Sequence, residues 1–227
     1  MKKASILVYT HAPMCSISCA DGTREVLESS GLYDVKLIGP DSYPKIDVTR
    51  DTLKHADCLV IPGGLGDSDQ FDTKMNDISA AIIGYVAEGG RYLGICMGAY
   101  FTGKHYLNLL DSADAVQYIK RPGASTTRED HDIVELDWQG EAREVYFHDG
   151  AAFVSREGKI PGSVVARYSN GDAAAIIQEY KQGKIGVIGP HPEAQKWWFY
   201  CQKRITARWH DCIQHDLILS FTKELLK

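Results

Sequence analysis

Tyr92-Leu93-Gly94-Ile95-Cys96-Met97-Gly98 is a short apolar run that ends on a cysteine held between glycines. Such a run reads as a buried strand, and the Gly-x-Cys-x-Gly boundary reads as a sharp turn from strand into helix. Before it, Asn76 to Glu88 carries Ile78, Ala81, Ile82, Tyr85 and Val86 at helical spacing and stops at Gly89-Gly90. The same alternation runs back to the N-terminus. Ser5 to Tyr9 is a strand, Gly22 to Ser30 a helix closed by Gly31, and Val35 to Ile38 the next strand. Thr52 to Ala56 gives a helical turn before the strand Cys58 to Ile61, which ends at Pro62-Gly63-Gly64. This cadence predicts an α/β fold with a doubly wound, mostly parallel sheet, because parallel strands need crossovers and are buried on both faces. The loops after Tyr9, Ile61 and Ile95 are then expected to meet in one cleft at the strand ends.

The later half alternates with period two over Ile133–Trp138, Glu144–Phe147, Val164–Tyr168 and Ala174–Tyr180, with turns at Gln139-Gly140 and Asn170-Gly171. It predicts an antiparallel insertion. Lys184 to Ile188 returns as a last core strand, and from Ala194 onward the pattern is helical, with Trp197, Trp198, Phe199 and Trp209 packed on the body. Without a repeat or linker, residues 1–227 read as a single domain.

A net charge of -5 over 227 residues argues against nucleic acid as a partner, since phosphate backbones are met by clustered Lys and Arg. The apolar start breaks at Thr10-His11-Ala12-Pro13, too early for a signal sequence, and no run suits a bilayer, so no membrane association is expected. The six irregularly spaced cysteines predict reduced thiols in a cytoplasmic protein, with Cys15 and Cys19 the open question.

At the turn, Cys96 has the setting of a nucleophile: strained backbone, small neighbours, and a helix N-terminus that favours thiolate. A small buried hydrophobe between packing glycines is the plain alternative. In His191-Pro192-Glu193 the proline keeps the chain extended, so His191 and Glu193 share a side, where a carboxylate can orient an imidazole. Gly63 and Gly64, with Met97 after the cysteine, can turn backbone N–H groups toward a developing oxyanion. Asp67, Asp69 and Asp72 lack the other ligands of a calcium loop and read as a solvated acidic loop. His11, Cys15 and Cys19 read as loop residues near the cleft, and no metal site is expected. Trp197 to Tyr200 reads as core or subunit interface.

Pro62-Gly63-Gly64, Gly94 to Gly98 and His191-Pro192-Glu193 together resemble the oxyanion loop, elbow and His-x-Glu pair of class I glutamine amidotransferase-like domains. Val8-Tyr9, Gly94 to Phe101 and Tyr146-Phe147-His148-Asp149-Gly150 are more similar to the family named after the N-terminal domain of biotin-protein ligases. The resemblance implies a flavodoxin-like sheet, a Cys96, His191, Glu193 triad, and a pocket lined by His148 and Asp149. Where amidotransferases carry a substrate-holding glutamine, this chain has Tyr100, which cannot supply an amide's paired donor and acceptor. Met97 stands where related protease and chaperone-like families often carry histidine. No separate ligase domain or biotinyl-adenylate loop is present in the 227 residues.

The expected function is hydrolysis of, or transfer from, a small amide or acyl compound without a cofactor. A binding or regulatory module with the same pocket is the alternative. The partner expected is a small-molecule substrate or ligand, with a homo-oligomer or a synthase partner left open.

Overall fold

A computed structural model describes residues 2–11, 17–64, 75–110 and 112–227, apart from the side chains of residues 17 and 201. Cys15, Asp67, Asp69 and Asp72 lie outside the described residues.

The strands are β1 (Ala4–Tyr9), β2 (Tyr33–Ile38), β3 (Cys58–Ile61), β4 (Arg91–Ile95), β5 (Ala113–Gln117), β6 (Asp132–Trp138), β7 (Glu141–Phe147), β8 (Ala151–Ser155), β9 (Ser163–Tyr168), β10 (Ala173–Tyr180) and β11 (Gly183–Ile188). Five of them pair in parallel in the order β2-β1-β3-β4-β11. Beyond β11 the same sheet continues antiparallel through β10, β9, β6 and β7, while β8 joins β10 and carries β5 on its other side. The antiparallel segment is therefore an extension of one mixed sheet.

The helices are α1 (Ile17–Ser29), α2 (Arg50–Leu53), α3 (Asn76–Ala87), α4 (Met97–Tyr100), α5 (Lys203–Thr206), α6 (Trp209–Cys212) and α7 (His215–Leu225). Alternate residues of β1 enter different buried clusters, Ile6 and Val8 one, Leu7 and Tyr9 the other. Successive strand side chains point to opposite faces, so the two clusters cover the two sides of the parallel strands. Val26 and Leu27 of α1 join Leu217, Ile218 and Phe221 of α7 in the first cluster. Leu53 of α2 and Ile82, Tyr85 and Val86 of α3 belong to the second.

Four expectations are corrected. Helix α1 begins before Gly22, because that glycine sits inside it as a contact point: an added Cβ would meet Gln195 Cγ and Trp198 Cζ2, each at 3.2 Å. The turn expected over Thr52–Ala56 lies at Arg50–Leu53, where the Thr49 hydroxyl accepts from the Thr52 N–H at 3.1 Å and fixes the start. The Ala-rich strands β5 and β8 escaped the pattern, having little of the β-branched character that marks strands. The C-terminal segment is broken into a 3-10 turn at Lys196–Cys201 and three helices, and its aromatic residues pack edge-on against Tyr146, Trp198 at 5.5 Å and Phe199 at 5.1 Å between centroids. Among the described residues, no helix is long and apolar enough to cross a membrane, and Cys19, Cys58, Cys96 and Cys212 form no disulfide.

Candidate functional site

Cys96 sits between the end of β4 and the start of α4 at φ 50, ψ -106. A side chain with a Cβ is crowded there, at a cost on the order of 1–3 kcal/mol that the surroundings must hold in place. The Cys96 N–H donates to the Ile188 carbonyl at 2.9 Å, which ties the turn to β11. The flanking glycines are required by close backbone approach. A Cβ on Gly98 would fall on the carbonyl oxygen of Ile61, and one on Gly94 would fall on that of Gly98. The Tyr92 hydroxyl donates to the Gly98 carbonyl at 2.7 Å and closes the turn from below.

The second strand end brings His191. Its N–H donates to the Tyr146 carbonyl at 2.8 Å, an isolated bridge that fixes the chain just past β11. His191 Nδ1 lies 2.8 Å from Glu193 Oε1, and both residues are buried, at 3% and 0% exposure. Burial alone would lower the imidazole pKa. The Glu193 carboxylate and the Cys96 sulfur, each also hydrogen-bonded to the ring, more than offset burial and hold it well above the usual histidine value. Glu193 Oε2 is buried with no hydrogen-bond partner. The His191 ring is boxed edge-on by Tyr146 and Trp198, with centroids 5.9 and 5.5 Å away.

Two cavities meet at Cys96. One, about 220 Å³, is walled by Cys19, His131, Tyr146, His191, Trp197 and Trp198. The other, about 230 Å³, is walled by Met97, Tyr100, Glu129 and Asp149. Gly64, Cys96 and His148 border both. A larger cavity of about 380 Å³ lies at the opposite end of β4, around Arg91, and holds none of these groups.

The structure thus gathers Cys96, His191, Glu193, Gly64, Met97, Tyr100, His148 and Asp149 in one place. Gly63 stands behind the His191 ring rather than on a cavity wall. His131, Tyr146 and Glu129 were not foreseen, and Trp197, Trp198 and Cys19 turn out to be wall residues. No local pattern marks His131 or Glu129, which precede β6. Tyr146 stands in the stretch that carries the family resemblance but has no site role there, and Trp197 and Trp198 read as core or subunit interface.

His148 packs on His131 with centroids 4.5 Å apart, and the His131 ring meets the Tyr146 hydroxyl through Nδ1. Burial first, then charge on His191 and His131, pushes the His148 pKa down to about 4; burial lowers that of His131 too. Both rings are neutral at pH 7. The Cys96 Sγ donates to the His148 carbonyl at 3.3 Å. Tyr100 lies one helical turn beyond Cys96, its N–H on the Cys96 carbonyl at 3.1 Å and its hydroxyl donating to the Asp149 carbonyl at 3.0 Å. Asp149, at φ 45, accepts from Gln117 Nε2 at 2.8 Å through Oδ2, while Oδ1 is buried and unpartnered. Among the described residues, no group of three or more His, Cys, Asp or Glu side chains is arranged to hold a metal ion.

Residues 5–111 match the family described as biotin-protein ligase, N terminal, and the resemblance read from the motifs is borne out there. A biotin–protein ligase of Schizosaccharomyces pombe is 29% identical over 163 residues, covering 60% of this chain and 25% of that protein. The chain therefore spans about a quarter of that relative's length. Among solved structures, cytoplasmic protein STM1381 of Salmonella typhimurium LT2 superposes with a TM-score of 0.60 at 15% identity, over 99% of this chain and 100% of that one. A ThuA-like protein of Parabacteroides merdae superposes at 0.59 and 14% identity, over 100% and 91%. These two likenesses establish the fold, a mixed α/β sheet with helices.

Proposed function

We propose, for a chain whose residues 5–111 carry the biotin-protein ligase N-terminal pattern, a cysteine-dependent amidohydrolase or amidotransferase-like activity on a small amide or acyl compound. The observation that carries it is the buried His191–Glu193 pair at 2.8 Å, turned on a cysteine held at positive φ on a cavity wall. In this reading the five parallel strands and their helices are a doubly wound, flavodoxin-like core, and the turn at Cys96 is a nucleophile elbow.

The chemistry follows from the groups present. With His191 taking the proton, Cys96 sulfur adds to the carbonyl carbon, forming an S–C bond, and the carbonyl oxygen becomes an oxyanion. Backbone N–H groups at Gly64 and Met97 are assigned to that charge; those of Ala99 and Tyr100 are taken by the Cys96 carbonyl. As the intermediate collapses, the C–N bond breaks and His191 gives its proton to the leaving amine. Water then adds to the thioester with His191 as base, the S–C bond breaks, and the acid leaves with Cys96 restored. Glu193 holds the ring and supports its positive charge throughout. The residues here need no cofactor for these steps, and a cytoplasmic, single-domain protein acting on a small molecule completes the proposal.

A second reading, a binding module without turnover, draws on one observation: the Cys96 thiol is already engaged by the His148 carbonyl. The experiment that separates the two is alkylation of Cys96 by iodoacetamide, followed by peptide mass spectrometry, with turnover of small amides measured alongside. Turnover and labelling that both collapse in Cys96→Ala, with turnover and labelling rate lost in folded His191→Ala, support the enzyme. Equal rates with and without His191 overturn it.

A further inference from the structure

The two cavities that meet at Cys96 differ in charge, and this bears on what the site accepts. Among the described residues, the first has an aromatic and imidazole wall with no carboxylate on it; Glu193 lies behind His191, hydrogen-bonded to its ring. Among the described residues, the second has two carboxylates, Glu129 and Asp149, and no Lys or Arg on its wall. Asp149 is not a satisfied surface acid: Oδ2 is taken by Gln117, whereas Oδ1 is shut off from solvent without a donor. A buried carboxylate oxygen without a donor is costly, and a cation close by would lessen that cost through its charge. Burial also raises the Asp149 pKa, as expected of a carboxyl lacking a cation at contact; Lys120, the lysine whose charge reaches it, is an exposed side chain off the cavity wall. Tyr100 cannot serve as that donor, because its hydroxyl is committed to the Asp149 backbone.

We infer that the substrate is an amine-bearing acyl compound whose ammonium lies against Asp149 and Glu129, while its uncharged planar or apolar part lies among His148, Trp197 and Trp198. The reacting carbonyl then sits at Cys96, where the cavities join. This deepens the proposed Cys96 chemistry and rests on it. An ammonium in the second cavity has the Asp149 carboxylate on its wall, and the exposed Glu129 adds attraction as the cation approaches.

The test uses three methanethiosulfonates of similar size on the whole protein at neutral pH: 2-aminoethyl, ethyl and 2-sulfonatoethyl. In each case the Cys96 sulfur displaces methanesulfinate and forms a mixed disulfide. Rates at Cys96, followed by peptide mass spectrometry, are normalised to those of a simple thiol in solution. The aminoethyl reagent is expected to react about tenfold faster than the ethyl one, within the range that charged clefts produce, and the sulfonate slower than either. Asp149→Asn combined with Glu129→Gln removes the bias. Asparagine also adopts the positive φ found at 149 and keeps an acceptor for Gln117, and Glu129 is exposed, so the variant retains its fold, which circular dichroism verifies. Equal normalised rates, a preference for the sulfonate, or a bias that survives the double substitution overturns the amine inference and leaves Cys96 chemistry standing. A Cys96 inert to all three overturns both.

Discussion

Gly63 stands so close to His191 that a Cβ added there would lie 2.5 Å from the ring's Cε1 and 3.5 Å from Cys19 Sγ. The glycine after Pro62 is thus needed for room behind the imidazole. Gly63→Ala should push the ring off its line between Glu193 and Cys96, costing about 1–3 kcal/mol as overpacked sites do. Alkylation of Cys96 should slow in parallel. Urea melts and labelling rates read the two effects, and an unchanged labelling rate would show that the ring has another resting place.

Glu193→Gln keeps the shape of the side chain and removes its charge. His191 has a raised pKa in the folded protein, so its pairing with Glu193 stabilises fully below the unfolded histidine value and is lost as pH rises through the folded one. The variant should lose about 3–5 kcal/mol near neutrality, the usual cost of breaking a buried pair from one side. It should also lose the wild type's decline in stability at high pH. Denaturant titrations between neutral and alkaline pH test this, and parallel wild-type and variant curves would count against the assignment.

For His148 the sign is opposite. Its pKa falls from 6.5 to about 4 on folding, so between these values the unfolded chain binds a proton that the folded site refuses. Stability should therefore fall as pH drops from about 6.5 toward 4, with His131 adding in the same direction. His148→Gln should flatten that slope. Histidine ring resonances followed by NMR should show His148 still neutral at pH 5, and a His148 titrating near its ordinary value would remove the basis for this prediction.

Tyr100 occupies the cavity beside Cys96 with its hydroxyl already bonded to Asp149. A glutamine side chain there meets a ring where an amide partner would be needed. A glutamine-mimicking diazo ketone should thus label Cys96 slowly relative to iodoacetamide, and Tyr100→Gln should narrow the gap. Fast, saturable labelling of the wild type, protected by glutamine, would restore glutamine as substrate.

Gly98→Ala should be the most damaging single change in the turn. Its Cβ would land on the Ile61 backbone, which cannot give way as a side-chain tip can, so a loss above ~3 kcal/mol or failure to fold is expected. Gly140→Ala, at φ +92 with open space around it, should cost only about 1 kcal/mol. Comparable melting temperatures for the two variants would contradict this ranking.

The sequence by itself determined the parallel strands, because they are short apolar stretches between helical periods, nearly unbroken in β3, which falls on Cys58–Ile61 as read, and interrupted by exposed Asp34 and Lys36 in the edge strand β2. It also determined the Cys96 turn, through its glycine spacing. The extended chain expected over His191-Pro192-Glu193 is instead a turn, closed by the Ala194 N–H on the His191 carbonyl at 3.2 Å, and that turn brings the two side chains together. Only the tertiary structure decided what surrounds them. His131 and Glu129 reach the site because β6 is carried out along the sheet by β9, and the tryptophans reach it because Gly22 lets the C-terminal segment close on α1. No period in the chain encodes such contacts between distant segments. The neutrality of His148, the raised pKa of His191 and the unpartnered oxygen of Asp149 likewise arise from burial and neighbours, which exist only once the sheet has assembled.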